Sequence, residues 1–151
     1  MYKMIWSSIR DVVLSFDELD PSFLAKFESE TAPSDECDLY TVLKDLMKKL
    51  YKVYGKPSVV IIDEYDTPMN HAYLNGYFNQ ATQFFSIFYG AAFKSTDDTM
   101  LKKVCFLGIV EIKCAGILSG MNNAVVYCSR NEEFSDCFGF YTRKFLNTLE
   151  M

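Results

Sequence analysis

The stretch Val59–Asp66, VVIIDEYD, sets four β-branched residues directly against three carboxylates in the next four positions. Branching at Cβ favours extended backbone, and a run apolar on both sides suits a central parallel strand with helices over each face. Residues 58–63 are therefore predicted to form a strand. Ligands of a parallel sheet bind outside the carboxyl ends of its strands, which puts Asp63 and Glu64 at the rim where chemistry is done. Strand geometry sends these two side chains to opposite faces. The plain alternative is a buried strand that ends in acid because the chain is emerging into water.

The segments on either side read as helices. Ile5, Ile9, Val12, Val13 and Phe16 recur at helical spacing, which predicts an amphipathic helix from Met1 to about Phe16. Asp20-Pro21 has the form of an N-cap followed by proline at the first helical position, opening a short helix through about Phe27. Residues 28–36 are polar, with Pro33 and Ser34, and read as a surface loop.

From Asp38, the residues Leu39, Val42, Leu43, Leu46, Met47, Leu50 and Val53 form one apolar stripe. Lys48, Lys49 and Lys52 sit near its end, where cations suit the helix dipole. Gly55 has the position of a C′ residue, and Pro57 stops the helix before the strand. Beyond the carboxylates, helices are predicted over 67–74 and 78–94, the second rich in aromatics. KVCFLGI, residues 103–109, reads as a second strand apolar on both faces. Helix, strand, helix, strand is the grammar of an α/β domain. A short strand at 124–128 and a terminal helix at 141–149 complete the reading.

Composition bounds the rest. The 151 residues are half hydrophobic and 16% aromatic, ample for one packed domain over 1–151 and inconsistent with global disorder. A net charge of −5 argues against a basic nucleic-acid groove. No apolar run approaches the ~20 residues of a membrane span, and MYKMIWSSIR is too short and too charged for a secretory leader. The chain is read as intracellular and cytoplasmic. Its five cysteines contain no closely spaced pair of the kind zinc sites use, so they read as buried free thiols.

An aliphatic strand ending in Asp-Glu is also the Walker B arrangement of nucleotide hydrolases. There the first carboxylate holds Mg²⁺, usually through water, and the second polarises the attacking water. The wider sequence points the same way. VVIIDEYDTPM, an aromatic helix containing FFSIFYGAAFK, the strand VCFLGI, KCAGILSGMNN and the CFGF stretch occur in one order at plausible intervals. Together they resemble the predicted AAA-ATPase-like family, P-loop proteins often fused to a nuclease-like domain.

The resemblance covers nearly the whole chain and is most specific at IDEYD..P and AGILSGMNN. It implies a partial P-loop-type parallel sheet flanked by helices, with ATP and Mg²⁺ as cofactors. It makes Asp63 the magnesium-side carboxylate and Glu64 the general base. Tyr65, Asp66 and Pro68 complete the signature turn. Asp66, Ser119, Asn122 and Asn123 join Asp63 as cofactor-binding candidates.

Two departures qualify that picture. Leu107 stands before Gly108 where the family pattern has threonine, replacing a sensor-like polar group with an apolar one. More seriously, no GxxxxGK followed by Ser or Thr occurs among the 151 residues. The one Gly-Lys pair, Gly55-Lys56, has Leu50 in place of the first glycine, Pro57 after it, and leads from a helix into a strand rather than the reverse. The phosphate loop and the N-terminal strands are expected to lie before Met1, so the chain reads as an ATPase-like domain inactive by itself. The alternatives are one part of a split ATPase, or an interaction module whose half-open sheet is completed by a protein partner.

Other conspicuous residues have ordinary readings. His71 has no second histidine and reads as a polar surface residue, Lys113 as a solvated loop cation, and Phe84, Phe85, Phe88, Tyr89 and Phe93 as core. Ser119 has no nucleophile context, and Asn122-Asn123 fits a turn.

Overall fold

In the computed structural model, residues 2–31, 33, 36–94, 99–109, 117, 125, 127 and 133 are described, 36 and 37 by backbone alone. The chain opens with α1 (Tyr2–Leu14), and α2 (Pro21–Leu24) continues into a 3₁₀ turn, Ala25–Phe27. The Asp20 carboxylate caps α2 by accepting from the Ser22 backbone N–H at 2.8 Å. The long helix α3 (Glu36–Tyr54) ends at Gly55, whose φ of 62° is the left-handed value that glycine tolerates and whose N–H donates to Tyr51 O at 2.8 Å.

Strand β1 (Ser58–Ile62) follows, then α4 (Thr67–Leu74), α5 (Phe78–Tyr89) with a π-helical turn Gly90–Lys94, and β2 (Leu101–Phe106). β1 and β2 pair in parallel, with Val60 opposite Val104 and Ile62 opposite Phe106; a register shift between Ser58 and Val59 leaves Lys102 as an extra residue. The fold is α/β, a parallel sheet flanked by helices. Among the described residues, no helix is long and apolar enough to cross a membrane.

The core lies between the helices and one face of the sheet. Phe84, Phe85, Phe88 and Tyr89 are buried along α5, together with Leu39, Val42 and Leu46 of α3 and Trp6 and Val13 of α1. Phe84 alone meets the rings of Tyr2, Tyr40, Phe85 and Phe88 within 4.9–5.8 Å. The aromatic run is therefore core, as its spacing predicts. Phe93 and Phe106 pack against it from the π-helical turn and the second strand.

Four expectations are corrected. β1 ends at Ile62 instead of Asp63, and β2 spans 101–106 instead of 103–109. Among the described residues, helices cover one face of the sheet: Val59 and Ile61 are 57% and 67% exposed, while Val60 and Ile62 on the opposite side are half-buried. A uniformly aliphatic strand satisfies either arrangement, so its composition alone does not specify which face is covered. Cys105 belongs to the same open face and is an exposed free thiol, not a buried one. The strand and helix predicted beyond residue 120 lie outside the described residues.

Candidate functional site

The site begins where β1 gives out. Ile62 is half-buried, and past it the chain turns sharply through Asp63, Glu64, Tyr65 and Asp66 into α4. The Asp63 Oδ1 atom accepts from the Glu64 N–H at 2.9 Å, and the Glu64 carbonyl accepts from the Thr67 N–H at 3.0 Å. Between these bonds Glu64 adopts φ 51°, the only positive value at a non-glycine residue among the described residues. The two carboxylates consequently do not alternate as on a strand. Both lie past its end, and both are exposed.

Asp66 behaves differently. It is 4% exposed and stands at the N-cap position of α4, its carbonyl accepting from the N–H groups of Met69 and Asn70 at 3.1 and 2.9 Å. Pro68 sits in the first turn of that helix, where its missing donor costs nothing. Of the three acidic residues, only Asp66 thus stands at the start of α4, and Asp63 and Glu64 precede it in the turn from β1. None of the ion pairs among the described residues involves Asp63 or Glu64.

The end of β2 is fastened to this turn. The Leu107 N–H donates to Ile62 O at 2.8 Å, and the Tyr65 N–H donates back to Leu107 O at 3.1 Å. The Tyr65 ring meets Phe106 edge-on at 5.9 Å, and Phe106 packs in turn on Tyr89 at 5.1 Å. Burial pushes the Tyr89 hydroxyl well above the usual phenol range, with Tyr65 adding to the shift. The Gly108 Cα lies under Tyr65 and Asp66: a Cβ there would come within 2.6 Å of the Tyr65 ring and 2.7 Å of an Asp66 carboxylate oxygen. Sequence reasoning missed this contact. Its one legible signal is a glycine at the end of a strand, a common mark of close backbone approach.

Asp63, Glu64 and Asp66 therefore share one turn of the chain, with Asp66 buried apart from the two exposed carboxylates, and Leu107 occupies the neighbouring strand end with 45% exposure. Ser119, Asn122, Asn123 and Lys113 lie outside the described residues. His71 is exposed, five residues beyond Asp66 along α4, and hydrogen-bonds the Tyr77 hydroxyl through Nδ1. A cleft of about 260 Å³, lined by Glu18, Leu19, Asp20, Lys49, Lys52 and Val53, involves the end of α3 and none of the rim residues.

As oxygen donors, Asp63 and Glu64 suit a hard cation. No group of three or more His, Cys, Asp or Glu that could cage a metal occurs among the described residues. That donor set fits Mg²⁺, which is commonly held by one or two carboxylates with water and substrate phosphate supplying the rest. A family model described as predicted AAA-ATPase matches residues 2–118. No curated protein and no solved structure matches the chain.

Proposed function

The chain belongs to the predicted AAA-ATPase family, and from that premise we propose that its rim carboxylates are the metal-side half of a nucleotide site. One observation carries the reading: Asp63 and Glu64 stand exposed just past the carboxyl end of a parallel strand, tied to the end of its neighbour. Asp63 is the residue that holds Mg²⁺, and Glu64 the base that orients and deprotonates water. Bound Mg²⁺ supplies neutralisation of phosphate charge. Asp66, too buried to reach a nucleotide directly, shapes the turn. Ser119, Asn122 and Asn123 are assigned to the nucleotide side by the family pattern alone.

Residues 1–151 by themselves are proposed not to hydrolyse ATP. Their sequence contains no phosphate loop, the feature that supplies several backbone N–H donors, a lysine and a helix N-terminus to polyphosphate. Each charge-assisted hydrogen bond contributes roughly 1.5–3 kcal/mol, and a micromolar affinity is only about 8 kcal/mol in all. Two exposed carboxylates without those donors repel a triphosphate. Phosphate release by the purified 151-residue chain should stay at background with Mg²⁺ and ATP; turnover that Glu64→Gln abolishes would overturn the proposal.

A second reading has its own observation. Val59 and Ile61 leave apolar surface on the open sheet face, and full burial of such a side chain is worth roughly 1.5–3 kcal/mol. A protein partner that completes the sheet, or another part of a split ATPase that brings the phosphate loop, would recover that energy. Sedimentation of a well-folded monomer across a wide concentration range would count against self-association through this face.

A further inference from the structure

We propose that Gly108 is a positioning residue for the rim carboxylates: its bare Cα is the seat on which the Tyr65 ring rests, and that seating holds Glu64 in its left-handed conformation. The inference rests on the reading of Asp63 and Glu64 as half of a nucleotide site, since it concerns how those groups are aimed.

The geometry leaves no room for a side chain at 108. A Cβ would meet Tyr65 Cε1 at 2.6 Å, Tyr65 Cδ1 at 2.7 Å and Asp66 Oδ1 at 2.7 Å, all closer than non-bonded carbon tolerates. Neither neighbour is positioned to yield cheaply. Tyr65 is held at its edge by Phe106, which is itself wedged between Tyr89 and Phe93 with ring centroids at 5.1 and 5.9 Å. The Asp66 residue is 4% exposed. The Tyr65 backbone is also bonded to Leu107, so both the main chain and the ring of one residue are anchored on 107–108.

Glu64 is the residue immediately before that anchor. A glutamate at φ 51° is in a conformation that L side chains avoid, and such strain persists only where the surroundings over-determine it. On one side Asp63 caps the Glu64 N–H; on the other, Tyr65 is fixed by the strand end across from it. Unseating Tyr65 removes half of that constraint, and Glu64 relaxes to a right-handed or extended backbone. Its carboxylate then no longer points where the turn now directs it. Gly108 thereby controls residues on a different strand's rim without touching the reacting groups.

The test uses isotope-labelled 151-residue chain, reading the Glu64 Cα and Cβ chemical shifts, which report the sign of φ. Gly108→Ala should move the Glu64 signals out of the left-handed pattern and lower Tm by roughly 3–8 °C. Tyr65→Ala removes the ring without adding an atom and should displace Glu64 in the same way, which keeps the test decisive if Gly108→Ala does not fold. Tyr65→Phe keeps the ring and should leave Glu64 in place, a rescue that a merely destabilised turn would not show. In the Tyr65→Ala background the Tm loss from Gly108→Ala should shrink at least twofold. Unchanged Glu64 signals in Tyr65→Ala, or an equal Gly108→Ala loss in both backgrounds, would overturn the proposal. Binding of manganese at the rim is a separate readout: its failure in the wild-type chain would remove the metal-site reading, while the Glu64 shifts would still decide the seat.

Discussion

At Glu64, in the turn between β1 and α4, the backbone takes a φ of 51°. Left-handed backbone costs an L residue about 1–2 kcal/mol, and glycine would escape that cost while adding about 0.5–1 kcal/mol of chain entropy to lose. Glu64→Gly should therefore stabilise the fold by roughly 0.5–1 kcal/mol, read from the urea unfolding midpoint. A destabilisation of that size would mean that the carboxylate is doing structural work. Tyr89 supplies a second residue-scale outcome. Its folded-state pKa is raised above the unfolded value of about 10, chiefly by burial. The neutral phenol is the stabilised form, so the contribution is complete below pH 10 and is lost as pH climbs past it. The urea midpoint should fall above pH 10, and Tyr89→Phe should flatten that fall. Tyr54, also raised, by its hydrogen bond to Glu18, leaves part of the slope in place.

The elements divide by how much of their surroundings the sequence could carry. α4 was legible to about its observed bounds, Thr67–Leu74; the end of α3 was legible because Gly55 and Pro57 stop it, while its start lies at Glu36 and not at Asp38. The aromatic stripe of α5 was legible as core by period alone. Phe84→Ala, at a side chain 1% exposed, should cost about 3–5 kcal/mol in equilibrium unfolding. The sheet was less legible. Val59 to Ile62 are chemically alike, so nothing in the sequence says that 60 and 62 face the helices while 59 and 61 face out. The paired consequence is direct: Ile61→Thr should cost under about 1 kcal/mol, whereas Ile62→Ala, half-buried against the core, should cost about 2 kcal/mol. Equal losses would mean that both faces are covered. The turn after β1 was legible in composition and illegible in shape, because glutamate is not a residue that announces positive φ. Gly108 acquires meaning only once β2 is placed beside β1.

For the molecule as a whole, the described residues form a helical layer packed on one face of a two-stranded parallel sheet, with its acidic turn at the carboxyl rim. Family membership makes nucleotide and Mg²⁺ the general expectation. In the function proposed above, residues 1–151 provide the cation's side of that site and lack the loop that grips phosphate. The most direct test is titration of the labelled chain with Mn²⁺, a paramagnetic stand-in for Mg²⁺, following amide signals residue by residue. Selective broadening is expected over Asp63–Asp66 and the adjoining Leu107–Gly108, abolished by Asp63→Asn. Broadening centred elsewhere, or signals at this turn untouched by the ion, would contradict it.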